Sequence, residues 1–126
     1  MLGAGHPATV DVLTSIGEMR LAQQRYADAE PLLHEAVSLQ EENHSDRWER
    51  YEAVSLLGAS LAGQARFEQA ESLLLAGYQG LSQRKDSIPW ASRSAPKEAG
   101  ERIVQLYRDW QKTGKAAEWQ TRLQER

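Results

Sequence analysis

Few residues of this chain are spaced for chemistry. Glu30 and His34 stand four apart, which would set both on one helical face and let them share a metal. His34-Glu35-Ala36-Val37-Ser38 lacks the second histidine of a zinc-binding helix, so His34 reads as a solvent-facing helical residue. Glu41, Glu42, His44 and Asp46 could catch a cation loosely, but they read better as a polar loop. Gly3-Ala4-Gly5 is an isolated glycine pair in a tail, not a phosphate cradle. There is no Gly-x-Ser-x-Gly elbow, and no Gly-rich strand loop, His-Arg-Asp or Asp-Phe-Gly of a kinase domain. The expectation is a non-enzyme with no cofactor and no metal.

Totals narrow the class further. The chain has no cysteine, which removes disulfides, thiolate metal sites and cysteine nucleophiles, and suits a reducing, cytoplasmic setting. Met1–Pro7 has neither the basic nor the apolar stretch of a signal peptide, and no apolar run approaches the length of a membrane span. Of 126 residues, 40% are hydrophobic and 26% charged, with strong helix formers dominating and a single Phe. An all-α fold follows. Net charge is −3, which argues against nucleic acid. Residues 1–46 pair two arginines with eight carboxylates, so the first part should present an acidic surface.

The elements come from an internal repeat. Arg25-Tyr26-Ala27-Asp28-Ala29-Glu30-Pro31-Leu32-Leu33 returns as Arg66-Phe67-Glu68-Gln69-Ala70-Glu71-Ser72-Leu73-Leu74, displaced by 41 residues (Arg66 against Arg25). Upstream, Leu13, Ile16 and Gly17 match Val54, Leu57 and Gly58 at the spacing of one helical face. Downstream, Ala29, Leu32, Leu33, Ala36 and Val37 match Ala70, Leu73, Leu74, Gly77 and Tyr78. Each unit is two amphipathic helices joined by a polar turn, near Gln23–Arg25 and Gln64–Arg66.

A third, degenerate copy closes the chain. Ile103, Leu106, Tyr107 and Trp110 repeat the inner column, with Tyr107 at the glycine position, an offset of 49 from Gly58. Gly114-Lys115 then reads as a turn and Ala117-Glu118 as the Ala-Glu pair. The copies are expected over residues 7–44, 46–85 and 96–125 of one domain spanning 1–126. Residues 86–95, with Pro89, three serines and no helical period, read as a loop. Pro7 and Pro96 suit first helical turns, and Asp46 with Glu49 has the form of a capping box. Pro31 interrupts the second helix, because it cannot donate to the Ala27 carbonyl, and predicts a kink or an irregular first turn.

The glycine of each inner helix, the small residue twelve positions later (Gly17 to Ala29, Gly58 to Ala70) and the Arg-Tyr or Arg-Phe turn resemble a tetratricopeptide repeat. The unit length and Ala29-Glu30-Pro31-Leu32-Leu33 resemble its kinesin-light-chain-like subclass. Leu73–Tyr78, Ile88-Pro89 and Arg102–Trp110 are similar to the C-terminal repeat tails of bacterial eukaryotic-like serine/threonine protein kinases. The resemblance runs from about Pro7 to Leu123. It implies a short right-handed α-solenoid of three helix-turn-helix hairpins, closed by a polar last helix, that binds proteins and catalyses nothing. One departure is plain: the paired Asn of that subclass are replaced by Thr14-Ser15 and Ser55-Leu56, which reduces polar grip in the second copy.

The resemblance places groove contacts on the inner helices. The positions are Asp11, Thr14, Ser15, Glu18 and Leu21, then Ser55, Ala59 and Ala62, then Glu101, Val104, Arg108 and Gln111. With Asp11 and Glu18 in the first copy, a protein or peptide carrying basic residues is the expected partner, with no role for nucleic acid or membrane. Trp110 and Trp119 read as structural, while Trp90 beside Pro89 is a candidate loop hot spot. The rival is a structural module whose apolar ends stack into homo-oligomers.

Overall fold

The computed structural model describes residues 6–125, so the Gly3-Ala4-Gly5 reading lies outside the described residues. Six α-helices follow one another as three hairpins, with no strand among the described residues. They are α1 (Pro7–Ala22), α2 (Tyr26–Glu42), α3 (Trp48–Ala62), α4 (Phe67–Gln83), α5 (Ala95–Asp109) and α6 (Thr113–Gln124). No helix is long and apolar enough to cross a membrane.

The same device closes all three hairpins. Gln24, Ala65 and Gln111 take left-handed φ values of 60°, 63° and 61°. The next residue then donates back five positions: Arg25 to Arg20, Arg66 to Leu61, Lys112 to Tyr107, at 2.8, 3.0 and 2.7 Å. That pattern satisfies carbonyls which a helix end leaves free. It also fixes the register of the third copy, at 46 residues from the second (Lys112 against Arg66) rather than 49.

Val104, not Tyr107, therefore occupies the position of Gly17 and Gly58. The buried Ala116 takes the place of Ala29 and Ala70, while Ala117 is exposed. Gly114 is inside α6 and not in the turn. The valine is accommodated because its opposite number changes as well. Leu33 and Leu74 lie against Gly17 and Gly58, and the equivalent residue in α6 is the exposed Gln120.

Two apolar clusters hold the hairpins together, one between the first and second and one between the second and third. Leu33, Leu56 and Leu57 mark the first; Leu74, Leu81, Ile103 and Leu106 mark the second. The glutamate of each Ala-Glu pair joins the following hairpin. Glu30 accepts from Gln64 at 2.9 Å and from Arg66 at 3.1 Å. Glu71 accepts from the Tyr107 hydroxyl at 2.7 Å. Burial and that acceptor together push the Tyr107 phenol up to about 12.

Two local expectations change. Helix α2 runs unbroken through Pro31, which is exposed like Ala27, so the missing donor falls on the solvent side. Asp46 and Glu49 form no capping box, because Arg47 is the N-cap of α3. Asp46 instead accepts from the Tyr51 hydroxyl at 2.9 Å and pairs with Arg84, and Glu49 pairs with Arg47 at 2.7 Å. The segment between α4 and α5 holds short 3-10 turns at Lys85–Ser87 and Trp90–Ser92.

Candidate functional site

Helices α1, α3 and α5 present their open faces to one side, and two hollows there meet at Glu18. The first, about 300 Å³, has Asp11, Thr14, Ser15 and Glu18 on one wall. Trp48, Glu49 and Glu52 form its middle, and Ala91, Ser92 and Ser94 with Glu98 the far wall. The second, about 370 Å³, runs on past Leu21, Ala59 and Ala62 to Arg102, Gln105 and Asp109. The groove is built by the repeat. Offsets of 41 and 46 turn Asp11 into Glu52 and Glu52 into Glu98, one carboxylate per hairpin at a single position.

Glu18 and Glu49 flank that row; Arg47 pairs with Glu49 at 2.7 Å, and Arg102 reaches in from the second hollow. Its guanidinium donates to Glu52 at 2.9 Å and to the Ser55 hydroxyl at 3.0 Å. Burial pushes the Glu52 carboxyl above the usual range, and the carboxylates of Glu18 and Glu98 add to that, while Arg102 pulls it back. The site is thus an acidic trough in which Glu49 and Glu52 are already paired with arginines. It holds hydrogen-bond acceptors and negative charge, and on its far wall the Ser94 hydroxyl donates to Glu98 at 2.6 Å. Among the described residues, no group of three His, Asp or Glu side chains could hold a metal ion.

The positions expected on the first two inner helices lie here: Asp11, Thr14, Ser15, Glu18, Leu21, Ala59 and Ala62. Ser55 does not reach the surface, being fully buried under Arg102 and against the backbone of Gly77. Of the four third-copy positions, the register error misplaces Val104 and Gln111, while Glu101 and Arg108 align with Ser55 and Ala62. Val104 is in the core, and Gln111 is in the left-handed turn. Arg108 turns away to Gln120 on α6, and Glu101 is exposed outside both hollows. Their places are taken by Glu98, Arg102, Gln105 and Asp109. Glu52 was missed although the 41-residue offset from Asp11 lands on it. Trp48 lines the trough, and Trp90 is 86% exposed in the loop forming its far wall.

Among solved structures, the nearly identical TPR-like repeats of a protein described as a kinesin light chain from Podosopora anserina superpose with a TM-score of 0.68. A single-residue variant of the same repeats gives 0.70. Both are 14% identical to this chain over 98% of its length. The chain has the tetratricopeptide-type repeat fold. It spans 57% of the length of either matched repeat protein. No protein-family model and no curated protein matches the sequence. The fold accounts for the paired helices and their small contact residues; the acidic row is a property of this repeat's own side chains.

Proposed function

We propose that the repeat is a non-catalytic recognition module whose trough binds a peptide segment carrying basic side chains. The observation that carries this reading is the row Asp11, Glu52 and Glu98, one carboxylate from each hairpin, reinforced by Glu18 and Glu49. A ligand laid across the inner helices meets a carboxylate of each repeat. Glu52 is balanced by Arg102 and the net negative charge lies at the first and third, so charge sets the ligand's orientation and rate of capture. In a larger signalling protein such a module would serve as a recruiting tail. Selection of peptides from a random displayed library tests it. The parent should enrich Lys- and Arg-containing sequences, with affinity of about micromolar order that falls with salt. The folded triple variant Asp11→Asn, Glu18→Gln, Glu98→Gln should lose them. Enrichment without basic residues, or undiminished in the variant, would reject the reading.

A second reading is favoured by Val12 and Met19, which are 56% and 53% exposed on α1. The equivalent positions in α3 are Ala53 and Ser60, and in α5 Ala99 and Leu106, all buried. The first hairpin thus shows the face that the later ones bury, and a second copy could cover it. Sedimentation equilibrium decides: mass rising with concentration and abolished by Met19→Lys supports assembly, whereas a monomer at all concentrations dismisses it.

A further inference from the structure

We propose that the hollow between the end of α2 and the start of α3 is a subsite for an arginine side chain. This rests on the trough reading above, because Asp11 and Glu49 line both places. The hollow is about 280 Å³ and has the buried Val10 in its wall. Gln40 also lines it, is only 6% exposed, and has a buried side-chain oxygen with no hydrogen-bond partner. Glu49 repeats the situation: one carboxylate oxygen is held by Arg47 at 2.7 Å, and the other is buried and unpartnered. Buried polar atoms are ordinarily satisfied, so two unpartnered acceptors on residues that line one hollow, each beneath its surface, ask for donors that a small side-chain shift would bring within reach.

The charge around them selects the donor. Arg47 at the rim is neutralised by Glu49, which leaves the Asp11 carboxylate. Helix α2 also ends here, through Gln40 and Asn43, with Glu41 and Glu42 in its last turn and no basic residue there. The negative end of a helix favours a cation. A guanidinium carries five donors in a planar fork and no acceptor, so it can serve two separate oxygens at once. An ammonium is a compact point charge and suits that pairing less well. The hollow has room for several waters, which the incoming side chain would displace. A peptide in the trough could thus be held in one register by a single arginine.

The test is an NMR titration of the isotopically labelled protein with N-acetyl-arginine amide, and with N-acetyl-citrulline amide, which has nearly the same shape without the charge. The arginine probe should saturate shifts of the Gln40 side-chain amide and of the Asp11 and Glu49 backbone amides. Gln40→Met should bind the arginine probe about tenfold more weakly, the loss of one hydrogen bond to a charged donor. Citrulline loses the charge and puts a carbonyl in place of a donor, so the parent should bind it at least as weakly. Glu49→Gln is the second variant should Gln40→Met fail to fold, with the same loss expected. Absence of saturable shifts, equal response to citrulline, or full binding by a folded variant would overturn the proposal and leave the hollow to water. These outcomes are separate from the library selection. Basic peptides that bind the trough equally well with citrulline replacing arginine defeat the subsite alone. A probe that binds while no peptide does defeats the trough reading alone.

Discussion

Arg102 on α5 reaches Glu52 on α3 at 2.9 Å, and with side-chain exposures of 18% and 17% the pair forms a half-sheltered floor to the acidic trough. Removing the arginine strands a carboxylate that burial already pushes above its usual range. Arg102→Met should therefore cost about 2 kcal/mol in urea unfolding at neutral pH, between the values of surface and buried pairs. The double variant with Glu52→Met should lose less. A carboxylate with a raised folded pKa destabilises when ionised, above that pKa, and the cost vanishes below its unfolded value. The cost of Arg102→Met should accordingly shrink as pH falls through the carboxyl range. An equal cost at pH 4 and pH 7 would attribute the loss to packing.

At Gly77, α4 lies directly against the backbone of α3. A Cβ placed there would lie 2.8 Å from the Ser55 nitrogen and 2.9 Å from its Cα, so the obstacle is backbone. Gly77→Ala should destabilise by about 3 kcal/mol, the upper range of overpacking. Gly114 has nothing within 4 Å of such a Cβ and stands at the second position of α6. Gly114→Ala should instead stabilise by up to about 1 kcal/mol. Paired urea titrations check both signs.

Glu30 supplies the pH dependence of the opposite sense. The hydrogen bond from Gln64 first, and then Arg66, hold its carboxyl below the ordinary 4.5. A lowered folded pKa contributes stability that is complete above the unfolded value and lost as pH falls through the folded one. Thermal unfolding followed from about pH 6 down to about pH 3 should show a falling Tm in the parent. Glu30→Gln should flatten that fall, because the exchange removes the titrating group from the joint between the first two hairpins. An identical fall in the variant would assign the acid lability to other carboxylates.

The first two hairpins could be read from sequence because their matched segments carry the same residues at one offset, from Arg25 to Leu33 and from Arg66 to Leu74. The third slipped by three residues. Three residues are close to one helical turn of 3.6, so apolar spacing fits either alignment nearly as well. What separates them is a left-handed residue, and Gln24, Ala65 and Gln111 share no residue type that marks it. Gly114 then drew the turn three residues too late. The slip carried Val104 into the expected groove and left out Glu98, Arg102 and Gln105, whereas Arg108 stands 46 residues from Ala62 and leaves the groove only because it turns to Gln120. The open oxygens of Gln40 and Glu49 depend on three-dimensional packing and have no sequence signature at all.

Within three residues the loop between α4 and α5 passes from a buried side chain to an exposed one. Ile88 is 2% exposed and packs into the cluster of the second and third hairpins, while Trp90 is 86% exposed. Ile88→Ala should cost about 2–5 kcal/mol, the range for deleting a buried aliphatic side chain. Trp90→Ala should change unfolding by less than about 0.5 kcal/mol, as surface substitutions do. Yet Ala91, Ser92 and Ser94 of the same loop wall the trough beside Glu98. An exposed indole beside that wall is suited to pack on a bound peptide. Trp90→Ala should then weaken binding of library-selected peptides about tenfold or more, a hot-spot-sized loss, without loss of stability. Unchanged affinity would confine recognition to the helical walls, and lost stability would mean that the indole packs in solution.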